Sequence, residues 1–213
     1  MLVEKEKLID AVRKAVEEAK PRRFVETVEI AVNLKNVDMK KPENRIDTVV
    51  TLPHGTGKPR KVAVFARGDT ALKAKEAGAY IISPEDIDEL AKNKRKAKKI
   101  AKEYDFFIAE APLMPDIGKK LGPILGPRGK MPLPIPPASD PTPHIERLKK
   151  SVKIRTRDKV TFHAPVGNRK MDPSKIADNA LEVLKVVENK YESQQNIKSV
   201  YVKTTMGPAV RVM

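Results

Sequence analysis

The apolar pattern of this chain changes style twice, and that change constrains the fold more than any single motif does. Near the amino end Val28, Ile30, Val32 and Leu34 alternate with Thr27, Glu29, Ala31 and Asn33, the period of a strand with one buried face. A similar stretch at 46–52 stops at Pro53-His54-Gly55. From 62 onward short apolar runs (62–66, 80–82, 106–109) alternate with helical segments. One of these covers 69–77 and is closed by Gly78; another opens at Ser83-Pro84-Glu85-Asp86, with Ser as cap and Pro as first helical residue. Strands that alternate with helices predict a small parallel sheet. After about residue 150 the alternating style returns. Val152, Ile154 and Thr156, then Val160 and Phe162, flank Arg157-Asp158 as an expected hairpin.

Each end adds one helix. In the stretch 4–19, Leu8, Ile9, Val12, Val16 and Ala19 fall on one stripe, ended by Lys20-Pro21. Asp172-Pro173 caps the other, with Ile176, Ala180, Leu181, Leu184 and Val187 inward. A last strand covers 199–203. Roughly 60 residues with two strands and a helix are thin for an independent core. The two ends are therefore expected to form one domain together. The predicted fold class combines α+β and α/β: a discontinuous α+β domain from 1–63 and 154–213, and an inserted α/β domain over 64–153.

Composition bounds the partner. The 213 residues carry 43 Lys+Arg against 28 Asp+Glu, a net charge of +15, which favours a polyanion through attraction and counterion release. Only 4% of residues are aromatic and none is Trp, which argues against reading single strands by base stacking. The absence of Cys excludes disulfides, thiolate zinc sites and a Cys nucleophile. Residues 1–20 mix charges of both signs and do not read as a signal peptide. No run approaches the roughly 18 apolar residues of a membrane span, so no membrane partner is expected and the predicted location is cytoplasmic.

Several apparent motifs fail on spacing. Gly122 to Met131 resembles a phosphate loop, but Ile124 and Met131 stand where that loop needs its first Gly and its Ser or Thr. Gly55-Thr56-Gly57 lacks the third glycine of a dinucleotide fingerprint, since Arg60 occupies its place. His54, His144 and His163 are dispersed, with no His-Glu motif. The serines show no nucleophile elbow. No enzyme, cofactor or metal site is expected.

Two surfaces compete as the polyanion site. The run Lys92 to Lys102 is densely basic, and Ala91, Ala97, Ile100 and Ala101 look too widely spread for a clean buried stripe. It reads as a solvated helix face, with nonspecific phosphate contact as the alternative. The second surface pairs Arg22-Arg23-Phe24-Val25-Glu26-Thr27 with Lys203-Thr204-Thr205-Met206-Gly207-Pro208. Thr hydroxyls donate and accept, which suits ribose 2′-hydroxyls; Arg holds phosphate; Gly allows close backbone approach. On residues alone the latter segment is a turn after a strand. Phe24 fits either a core or a contact position.

The motifs Arg23-Phe24-Val25-Glu26-Thr27-Val28-Glu29, Leu52-Pro53-His54-Gly55, Leu125-Gly126-Pro127-Arg128-Gly129-Lys130-Met131-Pro132, His163-Ala164-Pro165-Val166-Gly167 and Thr204-Thr205-Met206-Gly207-Pro208 follow one another in order. This pattern resembles the large-subunit ribosomal protein L-one family, of archaeal type, over essentially the whole chain. The resemblance implies a split RNA-binding domain holding both termini and an inserted Rossmann-like domain. It implies binding to 23S rRNA beside other large-subunit components, in the mobile stalk at the tRNA exit site, and a part in release of deacylated tRNA. It also implies repression of translation through an operator in the protein's own mRNA. A general basic nucleic-acid-binding protein not tied to the ribosome is the alternative. Carried over residue by residue, the RNA contact falls on Arg23, Phe24, Glu26 and Thr27 with Thr205, Met206 and Gly207; His163, Ser199 and Lys203 lie on matching segments. Lys203 stands where bacterial members commonly have Thr. The Gly/Pro stretch 122–136 is expected to be a rigid structural loop of the inserted domain.

Overall fold

In the computed structural model, which describes residues 3–156, 158–191 and 193–213 (only the backbone at 193 and 194), the chain starts with α1 (Lys5–Glu17), β1 (Thr27–Leu34) and β2 (Asp47–Thr51). There follow β3 (Val62–Phe65), α2 (Gly68–Glu76), β4 (Tyr80–Ile82), α3 (Pro84–Lys92), α4 (Lys94–Glu103) and β5 (Phe106–Glu110). Next come α5 (Met114–Lys120), α6 (Gly122–Leu125), β6 (Leu133–Ile135) and α7 (Thr142–Lys149). The last elements are β7 (Ser151–Arg155), β8 (Thr161–Asn168), α8 (Pro173–Lys190), α9 (Ser193–Asn196), β9 (Ile197–Thr204) and β10 (Ala209–Arg211). Met1 and Leu2 of the terminal stretch, and Arg157 of the expected hairpin turn, lie outside the described residues.

The chain divides into two compact units, Met1–Pro59 with Lys150–Met213, and Arg60–Lys149. These junctions fall a few residues before the 63/64 and 153/154 expected from sequence, because β7 pairs along its length with β2, from Asp47↔Arg155 to Thr51↔Ser151. The expected hairpin of β7 with β8 is not formed. β8 pairs instead with β1, from Thr27↔Asn168 to Asn33↔Thr161. A tight two-residue hairpin favours Asn-Gly or Asp-Gly at its centre, and Arg157-Asp158 supplies neither. Asp158 accepts a hydrogen bond from Arg45 instead.

The terminal unit is an antiparallel sheet of order β10-β9-β1-β8 plus the β2-β7 ribbon. The alternation in β1 works as read: Val28, Ile30, Val32 and Leu34 are buried. They pack in one core with α1 and α8. The α1 stripe is centred on Leu8, Ala11, Val12 and Ala15, with Ile9 and Val16 at its margin. The α8 face holds Ile176, Ala177, Ala180, Val183, Leu184 and Val187, with Leu181 only partly covered. Each large side chain among these contributes about 1.5–3 kcal/mol of burial. Strand β10, absent from the sequence reading, makes β9-turn-β10 a hairpin, with Ala209 opposite Lys203.

The other unit is a parallel sheet of order β4-β3-β5-β6. Its core gathers Phe65, Ile82, Ile87, Leu90 and Phe107. The expected cap of α3 is present as a reciprocal box: Ser83 accepts from the Asp86 amide while the Asp86 carboxyl accepts from Ser83. The stretch 122–136 is not a loop, as the sequence suggested. It contains α6 and the edge strand β6, where Pro134 is tolerated because an edge strand needs fewer ladder donors.

Candidate nucleic-acid interface

The antiparallel pairing of β1 with β9 sets Val28 opposite Thr204, so the segment before β1 meets the β9–β10 turn. Three backbone bonds hold that junction. The Thr205 amide donates to the Thr27 carbonyl at 3.0 Å and the Gly207 amide to the Thr204 carbonyl at 3.2 Å. The Met206 amide donates to Glu26 Oε1 at 3.0 Å. The Thr205 hydroxyl lies 3.3 Å from the Thr27 carbonyl and remains exposed. The two segments expected to cooperate are therefore adjacent, and the turn has one conformation fixed from both sides.

Glu26 is 1% exposed, so it braces the turn from inside instead of facing solvent. Its Oε2 lies 3.6 Å from the Arg169 guanidinium and accepts no hydrogen bond in the structure. Arg169 ties several segments together. Its amide donates to the Glu26 carbonyl at 2.9 Å, and its guanidinium donates to the carbonyls of Val16, Ala19 and Lys20 at 3.3, 2.9 and 3.1 Å. Those are carbonyls at the end of α1, where a cation both satisfies free acceptors and complements the helix dipole. Gly207 packs closely: a Cβ there would overlap Thr204 Oγ1 and lie 3.3 Å from the Ala19 Cβ. Thr204 is wholly buried and its hydroxyl makes no hydrogen bond.

Outside this frame the side chains are open. Phe24 is 56% and Met206 60% exposed, and Val25, Arg22 and Arg23 are exposed as well. Phe24 is thus a surface residue, which resolves the choice left open by its sequence position. An exposed apolar pair on a rigid frame, flanked by arginines, offers packing surface for sugars and bases beside phosphate-holding cations.

The remaining expected residues occupy the sheet face opposite the helices. His163 is exposed, and Ala31 lies between it and Tyr201 in register. Lys203 is half-buried opposite Glu29. Ser199 is buried, and its hydroxyl accepts from the Asn33 amide at 2.8 Å, while Asn33 accepts from Thr161 at 2.6 Å. Ser199 is therefore engaged in a cross-strand polar ladder. These residues share a sheet with the turn, and only Lys203 is near it in sequence.

Other motifs turn out to be structural. Asn179 is fully buried in the apolar face of α8. It accepts from the His54 amide at 3.1 Å and donates to the carbonyls of Gly55 and Val166 at 2.6 and 2.7 Å. One amide thus fastens two of the recognisable motifs, and the signal was a polar residue within an apolar stripe. In the inserted unit Gly129 takes φ +68°, a turn that aims Lys130 at the carbonyls of Ala101 and Tyr104, 3.0 and 2.6 Å away. Burial lowers the Lys130 pKa below its ordinary value. Among the described residues no cluster of metal-ligating side chains occurs, and no helix is long and apolar enough to cross a membrane.

Fold and site together define a basic two-unit protein: a split antiparallel α+β unit with a braced, outward-facing hairpin turn, and a parallel α/β unit inserted in it. The pattern of the Ribosomal protein L1p/L10e family matches residues 14–208, and the chain belongs to that family, whose members are structural proteins and not enzymes. Large ribosomal subunit protein uL1 of Archaeoglobus fulgidus is 72% identical, covering 100% of both chains. The protein of the same name from Methanothrix thermoacetophila is 57% identical over 98% of this chain and 100% of its own. That from Thermococcus kodakarensis is 53% identical over 100% and 99%.

Proposed function

We propose that this chain is a constituent of the large ribosomal subunit in the cytoplasm, and that it binds 23S rRNA through the Phe24–Thr27 segment and the Thr205–Gly207 turn. The observation that carries this reading is the Glu26–Met206 bond, which joins the two segments into one rigid patch. Rigid presentation cuts the ordering cost of binding, and a patch of short polar groups with open Phe24 and Met206 suits the backbone, 2′-hydroxyls and sugars of a folded RNA. The full-length relatives carry the name of a large-subunit protein, which supports the ribosomal setting. The family resemblance extends the proposal to the mobile stalk at the tRNA exit site, contact with deacylated tRNA, and repression through the protein's own mRNA.

Filter binding of the intact chain to a folded large-subunit RNA fragment, with excess duplex DNA as competitor, tests the core of this reading. Saturable binding that survives the competitor is expected. Equal displacement by duplex DNA would make the chain a general nucleic-acid binder and overturn the proposal.

A further inference from the structure

We propose that the inserted unit carries a second RNA surface, the exposed face of α4, which docks on phosphate backbone without reading sequence. The argument starts from charge compensation. In this unit Lys61 pairs with Glu103 at 3.0 Å, Arg60 with Asp105 at 3.8 Å, Lys96 with Glu89 at 2.8 Å, and Lys120 with Asp88. Lys130 and Lys149 instead donate to backbone carbonyls. On α4 the pattern fails. Lys94, Arg95, Lys98, Lys99 and Lys102 are exposed and make no ion pair among the described residues. At 3.6 residues per turn these five fall within an arc of about 140°, away from the buried Ala97 and Ala101.

That arc works against its own helix. Lys94, Arg95 and Lys96 occupy a first turn with no acidic residue, where the helix dipole disfavours cations. Lys94 with Lys98, Arg95 with Lys99 and Lys98 with Lys102 are like charges four residues apart, which also repel. The helix forms because other features hold it. Ala97 and Ala101 are buried with Ile100 packed beside them, the stripe that looked too spread in the sequence. Asn93 caps the start by accepting from the Lys96 amide at 3.1 Å. Lys130 satisfies carbonyls at the far end. Local rules broken in one place, with the compensation supplied by the surroundings, mark a functional surface. A row of cations repeating every four residues, about 6 Å along the axis, presents one sign to a partner that must be a polyanion. An RNA backbone supplies that charge and releases counterions on binding.

The test uses the intact chain, an RNA duplex of arbitrary sequence, and salt varied from about 50 to about 200 mM. In one variant Lys94, Arg95, Lys98, Lys99 and Lys102 are all changed to Gln, a residue of similar helix propensity. A control variant removes the same charge at the ion-paired Lys7, Lys14, Lys61, Lys120 and Lys185. The α4 variant is expected to melt no lower than wild type and to lose on the order of tenfold in duplex affinity at low salt. Its plot of log K against log salt should be shallower by about 3, at roughly 0.9 for each duplex phosphate released. The control should lose much less. A wild-type slope in the α4 variant, an equal loss in the control, or a lowered melting temperature would each overturn the proposal. So would unchanged RNA affinity with lost retention on poly-glutamate, which would assign the face to an acidic protein.

Discussion

Glu26 Oε1 accepts the Met206 amide hydrogen at 3.0 Å across 180 residues of sequence, and the carboxyl group is buried against Arg169. Glu26→Ala leaves that amide and that guanidinium without their partner. An unsatisfied buried group costs about 1–3 kcal/mol, which lowers Tm by several degrees in a chain of this size and weakens RNA binding by loosening the turn. Arg169→Ala should act in the same direction, and Arg169→Lys should restore part of the loss. Thermal melts followed by circular dichroism check this; an unshifted Tm in Glu26→Ala would show that the brace holds nothing.

Thr205 is the complementary case, because its hydroxyl sits at the surface with only a 3.3 Å approach to the Thr27 carbonyl. Thr205→Ala should leave Tm within a degree or so of wild type, as surface substitutions do. It should weaken binding to folded large-subunit RNA by about 1–3 kcal/mol, the cost of a hydrogen bond left unmade in the interface. Wild-type affinity in filter binding by the folded variant would remove Thr205 from the site.

At Gly207 the constraint is space, since a Cβ there would run into the buried Thr204 hydroxyl and press on Ala19. Gly207→Ala should therefore destabilise the chain by about 1–3 kcal/mol, the usual range for overpacking. Gly207→Ala combined with Thr204→Ser leaves the hydroxyl but frees its rotamer, and should recover part of the loss. Equal denaturant midpoints for Gly207→Ala and wild type would contradict the close packing.

How far the sequence reveals this molecule depends on how local the deciding forces are. The buried face of β1 was legible because its alternation is unbroken, and the Ser83-Pro84 start of α3 because capping is settled within four residues. The partner of β7 was not legible: Val152 and Ile154 alternate equally well beside β2 or β8, and the long-range choice depends on what each strand lacks. Strand β10 has three residues, too few for any period. In 122–136 glycine and proline mask a one-turn helix and an edge strand. At the site, segment proximity followed from motifs, but Glu26 reads as a surface charge until Arg169, far along the chain, is seen beside it. Asn179 stayed hidden because its partners, His54, Gly55 and Val166, are backbone groups that no side-chain pattern announces.

The division at 59/60 and 149/150 makes the insertion removable. Where the chain crosses, the Arg60 amide bonds the Lys149 carbonyl at 3.2 Å and the Leu52 amide bonds the Lys150 carbonyl at 3.1 Å, so the two crossing strands run side by side. Residues 1–59 joined to 150–213 through a short glycine-rich linker should fold cooperatively, since the core of α1, α8 and the four-stranded sheet lies wholly within them. The joined chain should keep its specific RNA affinity while losing the duplex binding assigned to α4. An unfolded product would show that the terminal core depends on the inserted unit.

Acid titration probes the opposite end of α8 from its apolar centre. The Asp178 carboxyl is held below the ordinary aspartate value, chiefly by the hydrogen bond from Lys5 at 2.6 Å, with His54 at 3.3 Å adding to it. A folded pKa below the unfolded one means that the unfolded chain takes up the proton first. The stabilisation is therefore complete above the unfolded value of about 3.9 and disappears as pH falls through the lower folded value. Because the group is partly exposed, its size is that of a surface pair, under about 1 kcal/mol. Asp178→Asn should thus be slightly less stable than wild type near neutrality, and the two should converge below about pH 3, once the carboxyl is protonated in both states. Urea denaturation at the two pH values measures the gap. A gap of constant size would show that Asp178 acts through packing and not through its charge.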